Sequence, residues 1–293
     1  MVELSTQPSG TGSPGRSSSS HQRQGRPRGG ARSVPSGRGE RRKVLSQNLL
    51  RDRGAIRSYI DAVGSSAIRG IELGAGDGTL TLELAELVPQ LTAVELDPVF
   101  ARRLRQKTRE LAHVEVLEQD LLTLRAPESD FVLLGNIPFA ITTRIITWAL
   151  DSPRLRSATL ITQREYARKR TGDYGRWSLT TIRTWPWWDW RLGPRIHRDS
   201  FRPRPSVDAA VLHLDRRACP LLPNLARARW ERAVETGFTG VGGSLYASLG
   251  TIYPRRRVAA AFDRAGVPRS HVVAFVSPDQ WLAVFSALED LRG

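Results

Sequence analysis

Short apolar runs recur along the first half of the chain, and segments with apolar residues at helical spacing separate them. The runs at Ile68–Leu73, Leu91–Leu96, Val114–Leu117, Phe131–Leu134 and Ala158–Thr162 predict strands. The spaced segments at Asp52–Val63, Leu80–Val88, Val99–Leu111 and Ile141–Leu150 predict helices. Strands that are apolar throughout and alternate with helices indicate an α/β fold, in which helices cover both faces of a parallel sheet.

The pattern changes in the last third of the chain. Trp188–Leu192 and Ala209–Leu214 predict two late antiparallel strands, and the rest of the chain is typical of helices, at Leu225–Phe238, Arg255–Ala265 and Pro278–Leu291. We therefore predict one domain over residues 44–215 and a small, all-helical domain over residues 216–293.

Charge indicates the class of partner. The chain carries 44 Lys and Arg against 29 Asp and Glu, a net charge of +15. This excess favours a polyanionic partner, most simply nucleic acid. Residues 1–43 hold nine basic and two acidic residues among many Ser, Gly and Pro. Such a segment cannot bury enough apolar surface to fold alone, so we predict a disordered basic tail over residues 1–43.

Several classes of protein are excluded by composition. The single cysteine, Cys219, cannot form an internal disulfide, and the scattered histidines do not suggest a metal site. No apolar run approaches the roughly 18 residues of a membrane span, and the N-terminus does not resemble a signal peptide. We expect a soluble, cytoplasmic monomer that has neither a metal nor a membrane partner.

Candidate ligand-binding residues follow four successive predicted strands. The first strand leads into Glu72-Leu73-Gly74-Ala75-Gly76-Asp77-Gly78, where the glycines allow a tight turn and close approach of a ligand. Glu95 follows the second strand and is suited to ribose hydroxyls, while Asp120 follows the third and is placed to meet an adenine amino group. Because Asp77 disfavours a pyrophosphate, the set favours S-adenosylmethionine, and a methyltransferase over a dehydrogenase.

The segment Asn136-Ile137-Pro138-Phe139 follows the fourth strand and supplies a chemistry. The exocyclic amine of adenine is a poor nucleophile because the ring delocalises its lone pair. An Asn side-chain oxygen and a backbone carbonyl can accept its two hydrogens, and Pro138 stiffens that carbonyl. Phe139 can stack on a base taken out of its helix and stabilise positive charge on the methylated nitrogen. These residues predict catalysis by positioning and electrostatics, with no general base before attack.

These motifs resemble those of the ribosomal RNA adenine dimethyltransferases. The resemblance rests on Gln47-Asn48-Leu49-Leu50, on the segments just described, and on Phe201-Arg202-Pro203-Arg204-Pro205-Ser206-Val207-Asp208. The motifs occur in the family's order over roughly 250 residues, from about Val44 to the C-terminus. The resemblance implies that residues 44–215 form a catalytic, Rossmann-like class I S-adenosylmethionine-dependent methyltransferase domain. It also implies that residues 216–293 form a helical RNA-binding domain.

Site residues follow from the resemblance, position by position. It implies cofactor contacts from Asn48, Leu50, Gly74, Gly76, Glu95, Leu96, Asp120, Leu121 and Asn136. It assigns the target base and catalysis to Asn136, Ile137, Pro138, Phe139 and Phe201. Leu49 stands where the family usually has phenylalanine. The aromatic ring that the family places at this position is therefore absent here.

Two branches of the family differ in substrate. The Erm group methylates an adenine of 23S ribosomal RNA and confers resistance to macrolides, lincosamides and streptogramin B, whereas the KsgA/Dim1 group acts on the small subunit. The segment from Gln163 to Ser178, Ser206, the glycine-rich segment Phe238–Gly243 and the run Pro254–Arg257 resemble the Erm group of antibiotic producers. We therefore expect 23S ribosomal RNA as the partner. The alternatives are a small-subunit methyltransferase and a non-enzymatic RNA-binding protein that keeps the fold.

Two basic clusters are predicted to contact RNA. Arg164, Arg168, Lys169 and Arg170 follow the fifth strand, near the expected mouth of the site, and Arg255, Arg256 and Arg257 open a helix of the C-terminal region. Four tryptophans, Trp185, Trp187, Trp188 and Trp190, could stack on bases, but large core residues are the simpler interpretation.

Overall fold

The computed structural model describes residues 48–291, and the predicted basic tail lies outside this range. Within the described part, apolar runs form a seven-stranded sheet as the sequence predicts. Nine strands are present in this part of the chain: β1 (Leu49–Leu50), β2 (Arg69–Leu73), β3 (Leu91–Glu95), β4 (Val114–Glu118), β5 (Phe131–Asn136), β6 (Leu155–Gln163), β7 (Trp188–Ile196), β8 (Phe201–Arg202) and β9 (Ala209–Arg216).

The main sheet has the order β4-β3-β2-β5-β6-β9-β7. Strands β2 to β6 run parallel, and β9 pairs antiparallel with both β6 and β7, which confirms the late antiparallel strands. Strands β1 and β8 form a separate two-stranded sheet, in which Leu50 pairs with Phe201. The carboxyl ends of β2 to β6 therefore share one edge, the edge at which ligands bind in open parallel sheets.

The helices of the first half occupy the predicted places. They are α1 (Arg53–Val63), α2 (Thr79–Ala85), α3 (Pro98–Lys107) and α4 (Thr142–Asp151). Asp52 caps α1 by accepting from the amide of Ala55, and Asp97 caps α3, which begins at Pro98 as the sequence indicates.

Side chains of the central strands alternate between two hydrophobic clusters. In β5, Phe131 and Leu133 join one cluster, while Val132 and Leu134 join the other. The first cluster includes Ile145 and Ile146 of α4, and the second includes Tyr59 of α1 and Leu84 of α2. Both faces of the sheet are therefore covered, as the uniformly apolar strands predict.

The later helices extend the first cluster. They are α5 (Arg164–Arg170), α6 (Leu179–Thr184), α7 (Arg227–Gly237), α8 (Leu245–Leu249), α9 (Arg255–Ala265) and α10 (Pro278–Asp290). Trp230 of α7 and Trp281 of α10 lie in the cluster that also holds Ile71 of β2. The change to helices falls after β9, as expected, but the hydrophobic core is continuous across it. A separate RNA-binding role for residues 216–293 stays a prediction.

Trp187, Trp188 and Trp190 are almost fully buried and Trp185 packs against them, which confirms that they are core residues. Helix α5 is an element that the apolar pattern does not predict, because its sequence is mostly charged and buries only Ala167. Among residues 48–291, no helix is long and apolar enough to span a membrane.

Candidate active site

The glycine-rich turn after β2 is anchored by Glu95, the last residue of β3. Gly74, Gly76 and Gly78 all have positive φ, which explains the need for glycine at alternate positions. The Gly76 amide donates to Glu95 Oε2 at 2.7 Å, and the Asp97 amide donates to Oε1 at the same distance. Glu95 is fully buried, so its carboxylate fixes both the turn and the start of α3.

Asp77, in the same turn, is bound by the side chains of two basic residues and one threonine. Arg51 lies 2.5 Å from its carboxylate, Thr79 donates to it at 2.8 Å, and Lys107 donates to its backbone carbonyl at 2.6 Å. Partial burial alone would raise the pKa of Asp77, but the bonds from Thr79 and Arg51 and the positive charges hold that pKa below its ordinary value. Asp77 thereby ties the turn to the segment that carries Asn48.

Asp120 lies just past the carboxyl end of β4. Its Oδ1 accepts from the Leu122 amide at 2.9 Å and caps a single 3₁₀ turn that begins at Leu121. The preceding residue, Gln119, donates its amide to the Glu95 carbonyl at 3.0 Å. Asp120 and Glu95 are therefore neighbours along the sheet edge, and Leu96 and Leu121 beside them are half-buried.

Asn136 is the last residue of β5, and its amide group is held in one orientation. Its Nδ2 donates to the Asn48 carbonyl at 2.6 Å. Because the amide is planar, this bond fixes Oδ1 on the opposite side, and within residues 48–291 no group donates to Oδ1. Ile137 is buried and donates its amide to Ile161, which holds the chain on the sheet. Pro138 and Phe139 follow at the start of a half-exposed 3₁₀ turn.

Tyr59 is a site residue that sequence analysis missed. It lies fully buried in α1, its hydroxyl donates to the Thr159 carbonyl at 2.9 Å, and it accepts from the Gly135 amide at 2.7 Å. Gly135 has a φ of 125°, and a Cβ there would lie 2.6 Å from the Leu73 carbonyl oxygen. Burial raises the pKa of the Tyr59 hydroxyl far above its ordinary value, so it stays a donor. Tyr59 thus holds the residue that precedes Asn136.

Glu72 is a second missed residue, in β2 below the glycine-rich turn. Its carboxyl is buried and accepts from the Thr81 hydroxyl at 2.6 Å. Burial raises its pKa to about 7, the Thr81 bond opposes this, and the charges of Glu95 and Asp77 add to it. The signal in the sequence was a Glu inside an apolar strand, which is uncommon unless the carboxyl has a partner.

The structure differs from the prediction at Phe201. Its ring is fully buried in the second hydrophobic cluster, together with Leu50 and Tyr59, and β8 pairs it with β1. A ring without exposed surface cannot stack on a base in this arrangement. Phe201 instead packs beneath the segment that carries Asn48, whereas Phe139 keeps an exposed part.

The predicted basic residues of α5 divide into two kinds. The Arg168 guanidinium pairs with Asp173 and lies 3.8 Å from the Tyr174 ring centroid. Arg170 donates to the Ser178 hydroxyl at 2.8 Å and lies over the ring of Tyr166. Both are therefore bound within the protein. Lys169 is exposed, and Arg164 lies at the first position of α5, directly beyond β6.

The three arginines that open α9 also differ. Arg255 and Arg256 are exposed, as an RNA contact requires. The side chain of Arg257 turns inward instead, because its Nε donates to the Leu288 carbonyl at 2.8 Å and its Nη2 donates to the same oxygen. Arg257 therefore joins α9 to the end of α10, so the structure gives it a structural contact in place of the predicted contact with RNA.

Comparison with known proteins identifies the family. The family model for ribosomal RNA adenine dimethylase matches residues 39–290. The chain belongs to the ribosomal RNA adenine dimethylase family. It is 48% identical over 255 residues to an rRNA adenine N-6-methyltransferase of Streptomyces fradiae, covering 86% of this chain and 80% of that protein. It is 34% identical over 246 residues to the mycinamicin-resistance protein MyrB of Micromonospora griseorubida, covering 83% and 78%.

A solved structure agrees with this membership. The crystal structure of the 23S rRNA methyltransferase ErmE matches with a TM-score of 0.79 at 46% identity, covering 83% of this chain and all of that one. The Rossmann-like sheet with a helical C-terminal region is therefore the fold of this chain. Among residues 48–291, no group of three or more His, Cys, Asp or Glu is arranged to hold a metal ion.

We predict that Tyr59→Phe destabilises the protein by about 1–3 kcal/mol, because it leaves the buried Gly135 amide and Thr159 carbonyl without their partner. Chemical denaturation measures the change. Tyr246→Phe is the matched control, because the Tyr246 hydroxyl makes no hydrogen bond within residues 48–291. Equal stabilities of the two variants would contradict the structural role given to Tyr59.

Glu72 makes the stability of the protein depend on pH. Its folded pKa of about 7 lies above the ordinary 4.5, so the stabilisation is complete at low pH and is lost as the pH rises through 7. Relative to Glu72→Gln, we expect the wild-type free energy of unfolding to fall by about 3 kcal/mol between about pH 4 and about pH 8. Glu83→Gln, an exposed change on α2, should leave the wild-type profile intact. Parallel profiles of wild type and Glu72→Gln would show that Glu72 does not titrate in this range.

Proposed function

We propose that this protein transfers one or two methyl groups from S-adenosylmethionine to the exocyclic amine of one adenine in 23S ribosomal RNA. The modification would confer resistance to macrolides, lincosamides and streptogramin B. Two relatives support the substrate and its consequence, because one is named a 23S rRNA methyltransferase and the other a mycinamicin-resistance protein. We place this activity in the cytoplasm, where 23S ribosomal RNA is found.

The donors and acceptors at the sheet edge fit S-adenosylmethionine. The positive φ at Gly74 and Gly76 lets the backbone approach a ligand where a Cβ would intervene. We assign the ribose hydroxyls to Glu95, the last residue of β3, at the edge where open parallel sheets bind their ligands. We assign the adenine amino group to Asp120, and further contacts to Asn48, Leu50, Leu96 and Leu121. When bound, the cofactor supplies a methyl group on a positively charged sulfur.

The fixed amide of Asn136 is the observation that carries the mechanism. Since Asn48 holds Nδ2, Asn136 presents Oδ1 as an acceptor at the end of β5. We infer that Oδ1 accepts one hydrogen of the target amine and a backbone carbonyl of the Ile137–Pro138 step accepts the other. Both bonds favour a pyramidal nitrogen whose lone pair is available for attack. The half-exposed ring of Phe139 then stacks on the base and stabilises the positive charge that develops on nitrogen.

The substrate is tested by methyl transfer from labelled S-adenosylmethionine to protein-free 23S ribosomal RNA, with assembled small subunits in parallel. We expect label in the 23S RNA alone, and a primer-extension stop at a single adenine. Label only in the small subunit would assign the protein to the other branch of the family. Label in neither would contradict the enzymatic function and favour an RNA-binding protein.

We predict that Asn136→Ala lowers kcat at least about a hundredfold, because the acceptor that orients the amine is lost. RNA affinity should stay within about twofold of wild type. Asn48→Ala keeps the backbone carbonyl that binds Asn136, so its main effect should be a higher KM for S-adenosylmethionine. A wild-type kcat in Asn136→Ala would refute the mechanism.

A further inference from the structure

A basic pocket lies at the same sheet edge as Asn136, on the side of β6, β9 and β7. Its volume is about 310 Å³, and its lining includes three arginines, one histidine and one aspartate: Arg164, Arg195, Arg198, His197 and Asp208. Of these, only Arg164 belongs to the basic clusters predicted from the sequence. Arg195 lies at the end of β7, His197 and Arg198 lie in the segment that joins β7 to β8, and Asp208 lies in the loop that joins β8 to β9.

Strand register places this pocket close to the target amine. Asn136 pairs with Ile161 of β6, Gln163 pairs with Ala209 of β9, and Ala209 pairs with Ile196 of β7. Arg164, His197 and Asp208 are the next residues beyond these pairs. Because neighbouring strands are about 4.8 Å apart, the pocket lies roughly 5–15 Å along the edge from Asn136. Successive phosphates of a strand rise by about 3.4 Å each, so this distance corresponds to a few nucleotides.

Asp208 organises the pocket without neutralising it. Its carboxylate accepts from the Arg198 amide at 3.0 Å and from Arg195 Nη2 at 2.5 Å. The amide bond is the main reason that the pKa of Asp208 lies below its ordinary value, and the Arg195 bond and charge add to it. Asp208 therefore stays charged and holds Arg195 in place, while more than half of the Arg195 side chain remains exposed.

Two arginines of the pocket are available to bind an anionic ligand. Within the described part of the chain, neither Arg164 nor Arg198 forms an ion pair. Among these residues, the Arg198 side chain donates only to the Ser206 carbonyl, at 3.3 Å. The second carboxylate of the pocket, Glu165, is bound by the Tyr174 hydroxyl. Guanidinium groups grip phosphate through paired N–H donors, so an anion with several oxygens fits this arrangement.

We propose that this pocket binds a backbone phosphate of the RNA strand, a few nucleotides from the target adenine. The inference rests on the proposed function, since it takes ribosomal RNA as the substrate. The pocket contributes affinity and sets how far the strand extends past Asn136, but it takes no part in the chemistry. A phosphodiester is the ligand, so the contact is independent of base identity.

Arg164→Gln and Arg198→Gln test the pocket, with Arg103→Gln as the matched control. Arg103 is an exposed arginine of α3, and within residues 48–291 it too has no ion pair. Binding to protein-free 23S RNA is measured over a range of salt concentrations for each full-length protein. Each pocket variant should bind at least about tenfold more weakly. Each should also flatten the slope of log affinity against log salt by about 0.7–0.9, the value for one lost phosphate contact. Cofactor affinity and kcat at saturating RNA should not change.

A salt slope in Arg198→Gln equal to that of Arg103→Gln would overturn the proposal. Thermal unfolding of each variant separates loss of a contact from loss of the fold. Methyl transfer by the wild-type protein to the same RNA is measured in parallel. If the wild type methylates the RNA and the slopes are equal, only the phosphate pocket fails. If the wild type methylates no ribosomal RNA, the proposed function itself fails.

Discussion

Residues 48–59 hold the end of β5 from one side through two hydrogen bonds, and the site depends on them. The Asn48 carbonyl accepts a hydrogen bond from Nδ2 of Asn136, and the Tyr59 hydroxyl accepts one from the amide of Gly135. The same segment reaches the glycine-rich turn through Arg51 and Asp77. It also reaches the loop before β8, where the Arg51 amide donates to the Ser200 carbonyl at 2.7 Å. One short segment therefore fixes the relative positions of the glycine-rich turn, the Asn136 amide and the loop leading to the basic pocket.

In the mechanism that we propose, this arrangement makes catalysis a matter of preorganisation. An amide side chain free to rotate would offer its NH₂ group to the target amine as often as its oxygen, and two donors cannot pair. The bond to Asn48 removes that alternative before substrate arrives, so no reorganisation is needed at the moment of attack. The buried carboxyl of Glu72 and the anchoring carboxylate of Glu95 lie directly beneath the turn. Burial of the Glu72 carboxyl makes the stability of the protein depend on pH, because it raises the pKa of that group to about 7.

Much of the fold could be predicted from the sequence because the strands are short, apolar and separated by clear helical patterns. The glycine-rich turn, Glu95, Asp120 and Asn136 could be placed because the carboxyl ends of parallel strands share an edge. Tyr59 could not be found in this way, since its bonds join α1 to strands 76 and 100 residues away in sequence.

The pattern of charges along the sequence predicted the placement of side chains less well than the hydrophobic pattern did. Arg168 and Arg257 look like their neighbours in sequence, but the structure pairs one with Asp173 and turns the other onto the Leu288 carbonyl. Local sequence does not reveal whether a cation has an internal partner, because partners come from distant parts of the fold. Phe201 illustrates the same limit, since its burial depends on the pairing of β8 with β1. The short helix α5 was not predicted because its sequence is mostly charged and lacks a periodic apolar pattern, although Arg, Glu, Ala and Lys all favour helices.

The most direct test of this account is a crystal structure of the protein with S-adenosylhomocysteine and an RNA fragment that carries the target adenine. The account predicts that Asn136 Nδ2 remains on the Asn48 carbonyl and that Oδ1 lies within hydrogen-bond distance of the adenine amine. An Asn136 side chain turned away from the base, or an Asn48 carbonyl that has released it, would contradict the claim that this bond prepares the site for attack.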